Sequence, residues 1–185
     1  MASRVFLLDR SGSMETCWDD TIGGYNSFIS DQAVFGGTVT LVQFDHEYSV
    51  TYNQKPIGEV VPLNRTTYQP RGSTALLDAI GRTIKAWTSP DAPTIIVLTD
   101  GVENSSQHYT KGHIKDLIES KTKDGWTFVY LGANQDAFSE AGSIGIGPTC
   151  TMNFDGANTP DAFTRLSAAM SQQASNPSQT LDLGN

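Results

Sequence analysis

The chain has 185 residues, of which 38% are hydrophobic and 17% are charged, a composition typical of a globular domain. Its 12 Lys and Arg residues against 20 Asp and Glu residues give a net charge of −8, which argues against a nucleic-acid-binding surface. No apolar run approaches the ~20 residues of a membrane-spanning helix, and the apolar run after Arg4 is too short for a signal peptide. We therefore expect a cytoplasmic protein with one domain over residues 1–174 and a polar, loosely ordered tail over residues 175–185.

The first half of the chain alternates apolar runs with amphipathic segments. Residues 5–8 form a continuous apolar run, typical of a strand buried in a parallel sheet. Residues 15–33 place apolar side chains three and four positions apart, which predicts a helix; Gly23 and Gly24 in its middle indicate either a weaker helix or close packing against the sheet. Two further strands are predicted over residues 38–44 and 47–52, and the short link between them favours an antiparallel hairpin at one sheet edge.

The second half continues this alternation to the end of the domain. Strands are predicted over residues 94–99, 127–131 and 149–154, and helices over residues 74–87, 109–123 and 158–173. A further helix is predicted to begin near Ala137. Asn134 and Asp136 precede it and are its capping candidates. The order of elements predicts an α/β fold, with a doubly wound, mostly parallel sheet, one antiparallel edge strand and helices on both faces.

Polar residues follow the ends of two predicted strands and precede one predicted helix. Asp9, Ser11 and Ser13 lie in the run VFLLDRSGSM, Thr74 lies in RGSTALLDAI, and Asp100 lies in TIIVLTDGVEN. Because ligands of such sheets bind at the carboxyl ends of the strands, we expect these side chains to share one edge. Their oxygens suit a hard cation. Each residue alone also has a structural explanation, since the acids are good turn formers and the hydroxyls are good helix caps.

The order D-x-S-x-S, then T, then D resembles the metal-ion-dependent adhesion site of von Willebrand factor type A domains, and the resemblance covers most of the chain. The chain is similar above all to stand-alone bacterial or bacteriophage members of this family. Its residues 131–147 resemble the corresponding stretch of those members. The resemblance implies a Rossmann-like fold in which Ser11, Ser13 and Thr74 coordinate Mg²⁺ (or Mn²⁺/Ca²⁺) directly. Asp9 and Asp100 then act through bound waters or accept hydrogen bonds from the serines, and one position is left for an exposed Asp or Glu of a partner protein.

Four further residues are expected on the rim of this site, where they would select the partner. Arg10 and Arg71 would bring positive charge beside the ion and steer an acidic ligand towards it. Gln69 and Glu103 lie in the same predicted loops. Each of the four is also an ordinary loop residue, for which a solvated surface position is the simplest explanation.

The resemblance implies a metal-dependent protein-binding module. The net negative charge and the lack of a long apolar run argue against nucleic acid and membrane as partners. The alternative is a structural or assembly protein of a phage particle or stress-response complex, in which the cation serves stability. An enzyme is not expected, because Ser11 stands where a haloacid dehalogenase phosphatase needs a second Asp, and no G-x-S-x-G elbow has a His partner. The three histidines, His46, His108 and His113, lack a metal-binding spacing. The oligomeric state stays open.

Overall fold

The structure, a computed structural model, describes residues 2–133, 136–154, 158–176 and 178–184. The strands in this part of the chain are β1 (Ser3–Asp9), β2 (Thr38–Phe44), β3 (Tyr48–Pro56), β4 (Thr94–Thr99), β5 (Thr127–Gly132) and β6 (Thr151–Asn153). The α-helices are α1 (Trp18–Gln32), α2 (Leu76–Ala86), α3 (Lys111–Lys123), α4 (Ala137–Ser143) and α5 (Thr159–Ser175). Within the described ranges, no helix combines the length and the apolar character needed to cross a bilayer.

The strands form one sheet in the order β3-β2-β1-β4-β5-β6. Every neighbouring pair is parallel except β2 and β3, which form the predicted antiparallel hairpin at one edge. The α/β fold class is therefore confirmed. After β1 the chain first builds the β2–β3 side and then returns to add β4 on the other side of β1. This reversal makes the carboxyl ends of β1 and β4 the place where a ligand site is expected.

Side chains of the central strand β1 alternate between two buried layers. Phe6 and Leu8 pack in the layer that contains α1 and α5, while Val5 and Leu7 pack in the layer of α2 and α3. Burial on both faces explains why this strand is a continuous apolar run, because neither face meets water.

The paired glycines of α1 have different surroundings. A methyl group on Gly24 would lie 2.2 Å from the Phe163 ring of α5, whereas one on Gly23 would meet nothing within 4 Å. The predicted close packing is therefore present at Gly24, but its partner is helix α5 and not the sheet.

Several local expectations differ from the structure. The strand expected over residues 149–154 is shorter, because residues 148–150 form a 3₁₀ turn before β6 begins. The helix expected from Glu15 begins with a 3₁₀ turn over Gly12–Cys17 and becomes α-helical only at Trp18. The strand expected over residues 47–52 continues to Pro56 as β3, because an edge strand tolerates polar residues that face solvent. The expectation of a loosely ordered tail is wrong for Leu181 and Leu183, which are buried in the core.

The two predicted caps of α4 have different outcomes. Asn134 lies outside the described residues. Asp136 directly precedes α4, but its side chain makes no capping hydrogen bond to the helix. The start of this helix was therefore predicted correctly, while the capping role expected of Asp136 was not.

Candidate metal site

Three loops meet at the carboxyl ends of β1 and β4. The first loop (residues 9–13) begins at the last residue of β1, the second loop (residues 60–75) precedes α2, and the third loop (residues 99–106) begins at the last residue of β4. The amide of Gly12 donates to the Gly72 carbonyl at 3.1 Å, and the amide of Arg71 donates to the Arg10 carbonyl at 2.6 Å. These two bonds join the first and second loops directly.

The second loop is fixed to the third loop through Thr74 and Asn104. The Thr74 amide donates to Asn104 Oδ1 at 2.9 Å, and the Asn104 amide donates back to the Thr74 carbonyl at 3.0 Å. This reciprocal pair orients the backbone of Thr74, and with it the start of α2. Asn104 lies in the same run, TIIVLTDGVEN, as Asp100, but no local pattern predicts its contact with Thr74.

The carboxylate of Asp9 is fully buried and both of its oxygens accept hydrogen bonds. Oδ1 accepts from the Ser11 amide at 2.6 Å. This bond closes the turn that is expected if Asp9 is an ordinary turn former. Oδ2 accepts from the Thr99 hydroxyl at 2.5 Å, and the Tyr68 hydroxyl donates to the Asp9 carbonyl at 2.6 Å. Burial raises the pKa of Asp9 to about 6, although the hydrogen bonds from Thr99 and Ser11 oppose this shift. A simple turn former would need neither the burial nor the contact with Thr99.

The hydroxyls of Ser11 and Ser13 lie 3.2 Å apart. Ser11 precedes the 3₁₀ turn but its side chain does not cap it, and Ser13 lies within that turn. Ser13 Oγ donates to Asp100 Oδ1 at 2.6 Å. Burial raises the pKa of Asp100, and the hydrogen bond from Ser13 opposes that shift. The position that precedes α2 is Ala75, so the hydroxyl of Thr74 is not a helix cap either. The capping explanation therefore fails for all three hydroxyls.

Oxygens of three of the predicted metal residues surround one point beside Gly101. A methyl group on Gly101 would lie 2.7 Å from Thr74 Oγ1, 3.5 Å from Ser11 Oγ and 3.6 Å from Asp9 Oδ2. Glycine leaves this space open. We refer to it as the oxygen cradle. Ser13 lies on the exposed side of the cradle, while the other oxygens lie at its buried base.

This donor set fits a small hard cation. All of its atoms are oxygens, as Mg²⁺ requires, and Asp9 is an acid whose charged form a cation would favour. Across the described ranges, no three His, Cys, Asp or Glu side chains are grouped for metal binding. The cradle therefore has a different character from a carboxylate-rich site, because neutral hydroxyls supply most of its oxygens.

The two rim arginines lie on the first and second loops, but they are paired. Arg10 Nε and Arg71 Nε both donate to Asp45 Oδ2 at 2.9 Å, and the Arg71 guanidinium also contacts the carboxylate of Glu47. The positive charge expected at the rim is thus offset by two carboxylates. The position of Asp45 suggested only a hairpin link, so its role as a partner of both arginines could not be predicted from sequence spacing.

The other two rim residues differ from each other. Gln69 is exposed to solvent. Glu103 instead accepts hydrogen bonds from the amides of Leu77, Ser105 and Ser106 at 2.7–2.9 Å, so it supports the start of α2 and the third loop. Contact of any of the four rim residues with a partner stays a prediction.

Solved structures of von Willebrand factor type A domains match this chain over about nine-tenths of its length or more. The von Willebrand domain of the type V pili tip protein Mfa5 from Porphyromonas gingivalis has a TM-score of 0.69 and 13% identity, covering 94% of this chain and 96% of that one. Manganese-loaded TRAP from Plasmodium vivax has a TM-score of 0.61 and 14% identity, with 87% of this chain and 71% of that chain covered.

Proximal thread matrix protein 1 from the mussel byssus has a TM-score of 0.66 and 14% identity over 92% of this chain. The match covers 48% of the mussel protein, so this chain spans about half of that relative's length. No family model matches the sequence, and no curated relative does. The similarity is therefore one of structure, and the chain has the von Willebrand factor type A fold.

Proposed function

We propose that the chain is a metal-dependent protein-binding module that captures an acidic side chain of a partner protein. The observation that supports this most directly is the oxygen cradle, in which Asp9, Ser11 and Thr74 converge on a space that Gly101 leaves open. Among the structural neighbours, a pilus tip protein and a manganese-loaded protein are consistent with adhesion and with divalent-metal binding. A cytoplasmic, stand-alone bacterial or phage protein remains the expectation from the sequence.

The five predicted metal residues divide into two roles. Ser11, Ser13 and Thr74 would hold Mg²⁺ (or Mn²⁺/Ca²⁺) through neutral hydroxyls, which leaves much of its charge uncompensated. Asp9 and Asp100 would contact the ion through bound waters or accept hydrogen bonds from its ligands. The hydrogen bond that Ser13 donates to Asp100 is of the second kind. A bound ion would supply an electrophilic centre with one coordination position open to an outside oxygen.

The partner group that fits this site best is a carboxylate. A carboxylate is a hard, charged oxygen ligand, and the exposed side of the cradle at Ser13 is where such a group would enter. The rim arginines are offset by Asp45 and Glu47, so attraction of an acid would depend on the cation itself and not on free positive side chains.

We infer that the site is not enzymatic. The hydroxyls of Ser11 and Ser13 contact each other, and Ser13 also donates to Asp100. In the proposed site both hydroxyl oxygens would be tied to the cation, which makes them poor nucleophiles. The assembly alternative uses the same cradle but requires no open coordination position. The two functions therefore differ in whether an outside carboxylate reaches the ion.

Acetate, the smallest carboxylate, serves as a probe of that position. Mn²⁺ is added below the concentration of metal-free protein, and the relaxation of the acetate methyl protons is measured by NMR. A protein-bound ion with an open position should relax acetate more strongly than the same ion in buffer, because the complex tumbles slowly. Relaxation weaker than in buffer would show a closed ion and would favour the assembly alternative. The Asp9→Ala variant provides the control, since its signal should equal that of buffer.

A further inference from the structure

Asp45 is a fully buried carboxylate that the predicted metal residues do not include. It follows the last residue of β2, and its Oδ1 accepts from the Glu47 amide at 2.6 Å. Its Oδ2 accepts from Arg10 Nε and from Arg71 Nε, each at 2.9 Å. Its backbone carbonyl accepts from the Ala75 amide at 2.9 Å. One acid thus contacts three separate segments of the chain.

The two arginines bound by Asp45 belong to different loops of the metal site. Arg10 lies between Asp9 and Ser11 in the first loop, and Arg71 lies three residues before Thr74 in the second loop. Beside the shared carboxylate, the Arg71 amide donates to the Arg10 carbonyl. The side-chain contacts therefore support the same junction as the backbone bonds between the loops.

We infer that Asp45 is a positioning residue for the oxygen cradle, acting through Arg10 and Arg71 to hold the first and second loops in register. The cation part of this inference rests on the proposed function. Two physical effects operate in the same direction. The ion pairs fix the distance between the loops, and the buried negative charge offsets two guanidinium groups that would otherwise repel a cation.

A purely local role for Asp45 is the competing explanation. The bond between its Oδ1 and the Glu47 amide closes the turn between β2 and β3, as an acid in a hairpin commonly does. If that were its only role, replacing Asp45 would loosen the hairpin and leave the loop junction unchanged. The amides of Gly12 and Arg71 report on the junction, because each donates across the two loops.

Amide hydrogen exchange in the metal-free protein separates these explanations. In Asp45→Asn we expect exchange at Gly12 and Arg71 to become at least about tenfold faster, while amides of β5 keep their protection. Unchanged protection at Gly12 and Arg71 would overturn the inference, and so would an equal loss throughout β5, which would indicate general destabilisation. If Asp45→Asn does not fold, Arg71→Met removes one of the two ion pairs of Asp45. Exchange at the amides of residues 12 and 71 should then become faster as well.

Asp19→Asn is the matched control, because it removes an ion pair with Arg65 that belongs to the same second loop but lies away from Asp45. It should leave exchange at Gly12 and Arg71 unchanged. Loosening of those amides in Asp19→Asn to the same extent would show that any disturbance of the loop suffices, and would overturn a specific role for Asp45.

Calorimetric titration with Mg²⁺ gives the second readout. Asp45→Asn should weaken binding by about tenfold or more, from the loss of charged hydrogen bonds, while Asp19→Asn should not. Wild-type affinity in Asp45→Asn would contradict the inference. Absence of Mg²⁺ binding in the wild-type protein would instead refute the proposed function, and hydrogen exchange would still decide the role of Asp45.

Discussion

The hydroxyl of Ser13 donates to the carboxylate of Asp100 at 2.6 Å, joining residues 87 positions apart in the sequence. The parallel pairing of β1 with β4 brings them together, because Leu8 and Leu98 are register partners one residue before each strand ends. The site is therefore a consequence of strand order. Each of the two loops begins where a buried strand leaves the sheet.

Gly101→Ala is predicted to abolish cation binding without unfolding the protein. The added methyl group would lie 2.7 Å from Thr74 Oγ1, inside the oxygen cradle, and would exclude an ion. The matched control is Gly142→Ala in α4, where a methyl group meets nothing within 4 Å. Mg²⁺ titration should show binding in the control only. Binding of wild-type strength in Gly101→Ala would place the ion elsewhere.

The buried carboxylate of Asp9 should make the metal-free protein less stable as the pH rises. Its pKa is raised from 3.8 to about 6 in the folded state, so the folded protein holds this proton more tightly than the unfolded chain does. The contribution of Asp9 to the free energy of unfolding should therefore be full below about pH 4 and lost as the pH rises through about 6. Urea unfolding in chelator, with Asp9→Asn as the reference, measures this contribution. A difference between the two proteins that does not vary with pH would contradict the prediction.

The two glycines of α1 should respond differently to the same substitution. Gly24→Ala should cost about 1–3 kcal/mol, because its methyl group would overlap the Phe163 ring. Gly23→Ala should instead stabilise the helix by about 0.5–1 kcal/mol, since the space there is open and alanine favours helix. Thermal or urea unfolding measures both changes. Equal effects of the two substitutions would argue against the close approach of α1 and α5.

Asp78 should be an anchor for the chain between β4 and α3. Its carboxylate accepts from the amides of Gln107, His108 and Tyr109 at 2.9–3.0 Å and contacts the His108 ring. Burial alone would raise the pKa of Asp78, but these hydrogen bonds outweigh it and lower the pKa from 3.8 to about 2. Asp78→Ala should therefore destabilise the protein by about 2–3 kcal/mol at neutral pH.

The cost of removing Asp78 should depend on pH with the sign opposite to that for Asp9. Because the folded pKa lies below the unfolded value, the stability that Asp78 provides is present above about pH 4 and is lost as the pH falls through about 2. Urea unfolding at several pH values tests this, and Asp78→Asn, which keeps one acceptor oxygen, should lose less. A cost that grew on acidification would refute the anchoring role.

The sequence was sufficient to predict the fold class and the order of strands and helices, because buried parallel strands are continuous apolar runs that periodicity detects. Strands β2 and β4 have the bounds that were predicted. The burial of Leu181 and Leu183 in the tail could not be predicted, because these two residues are isolated among polar ones and only the folded core shows that they are buried.

The candidate site was predicted in part, and the missing part has a common cause. Ser11 and Thr74 were recognised because a local pattern marks each of them. Their supports, Asp45, Thr99 and Asn104, are recognisable only by contacts between loops that strand pairing creates. Thr99 in particular looks like an ordinary strand residue until its hydroxyl is seen to donate to the buried acid at the end of β1.

Calorimetric titration of the metal-free protein with Mg²⁺, performed in parallel on the wild type and Asp9→Ala, tests whether the five predicted metal residues hold a cation. We expect a single binding event in the wild type that is absent from Asp9→Ala, with the variant still folded by circular dichroism. Absence of binding in the wild type, or undiminished binding in Asp9→Ala, would contradict it and would reduce the five predicted metal residues to structural roles in their loops.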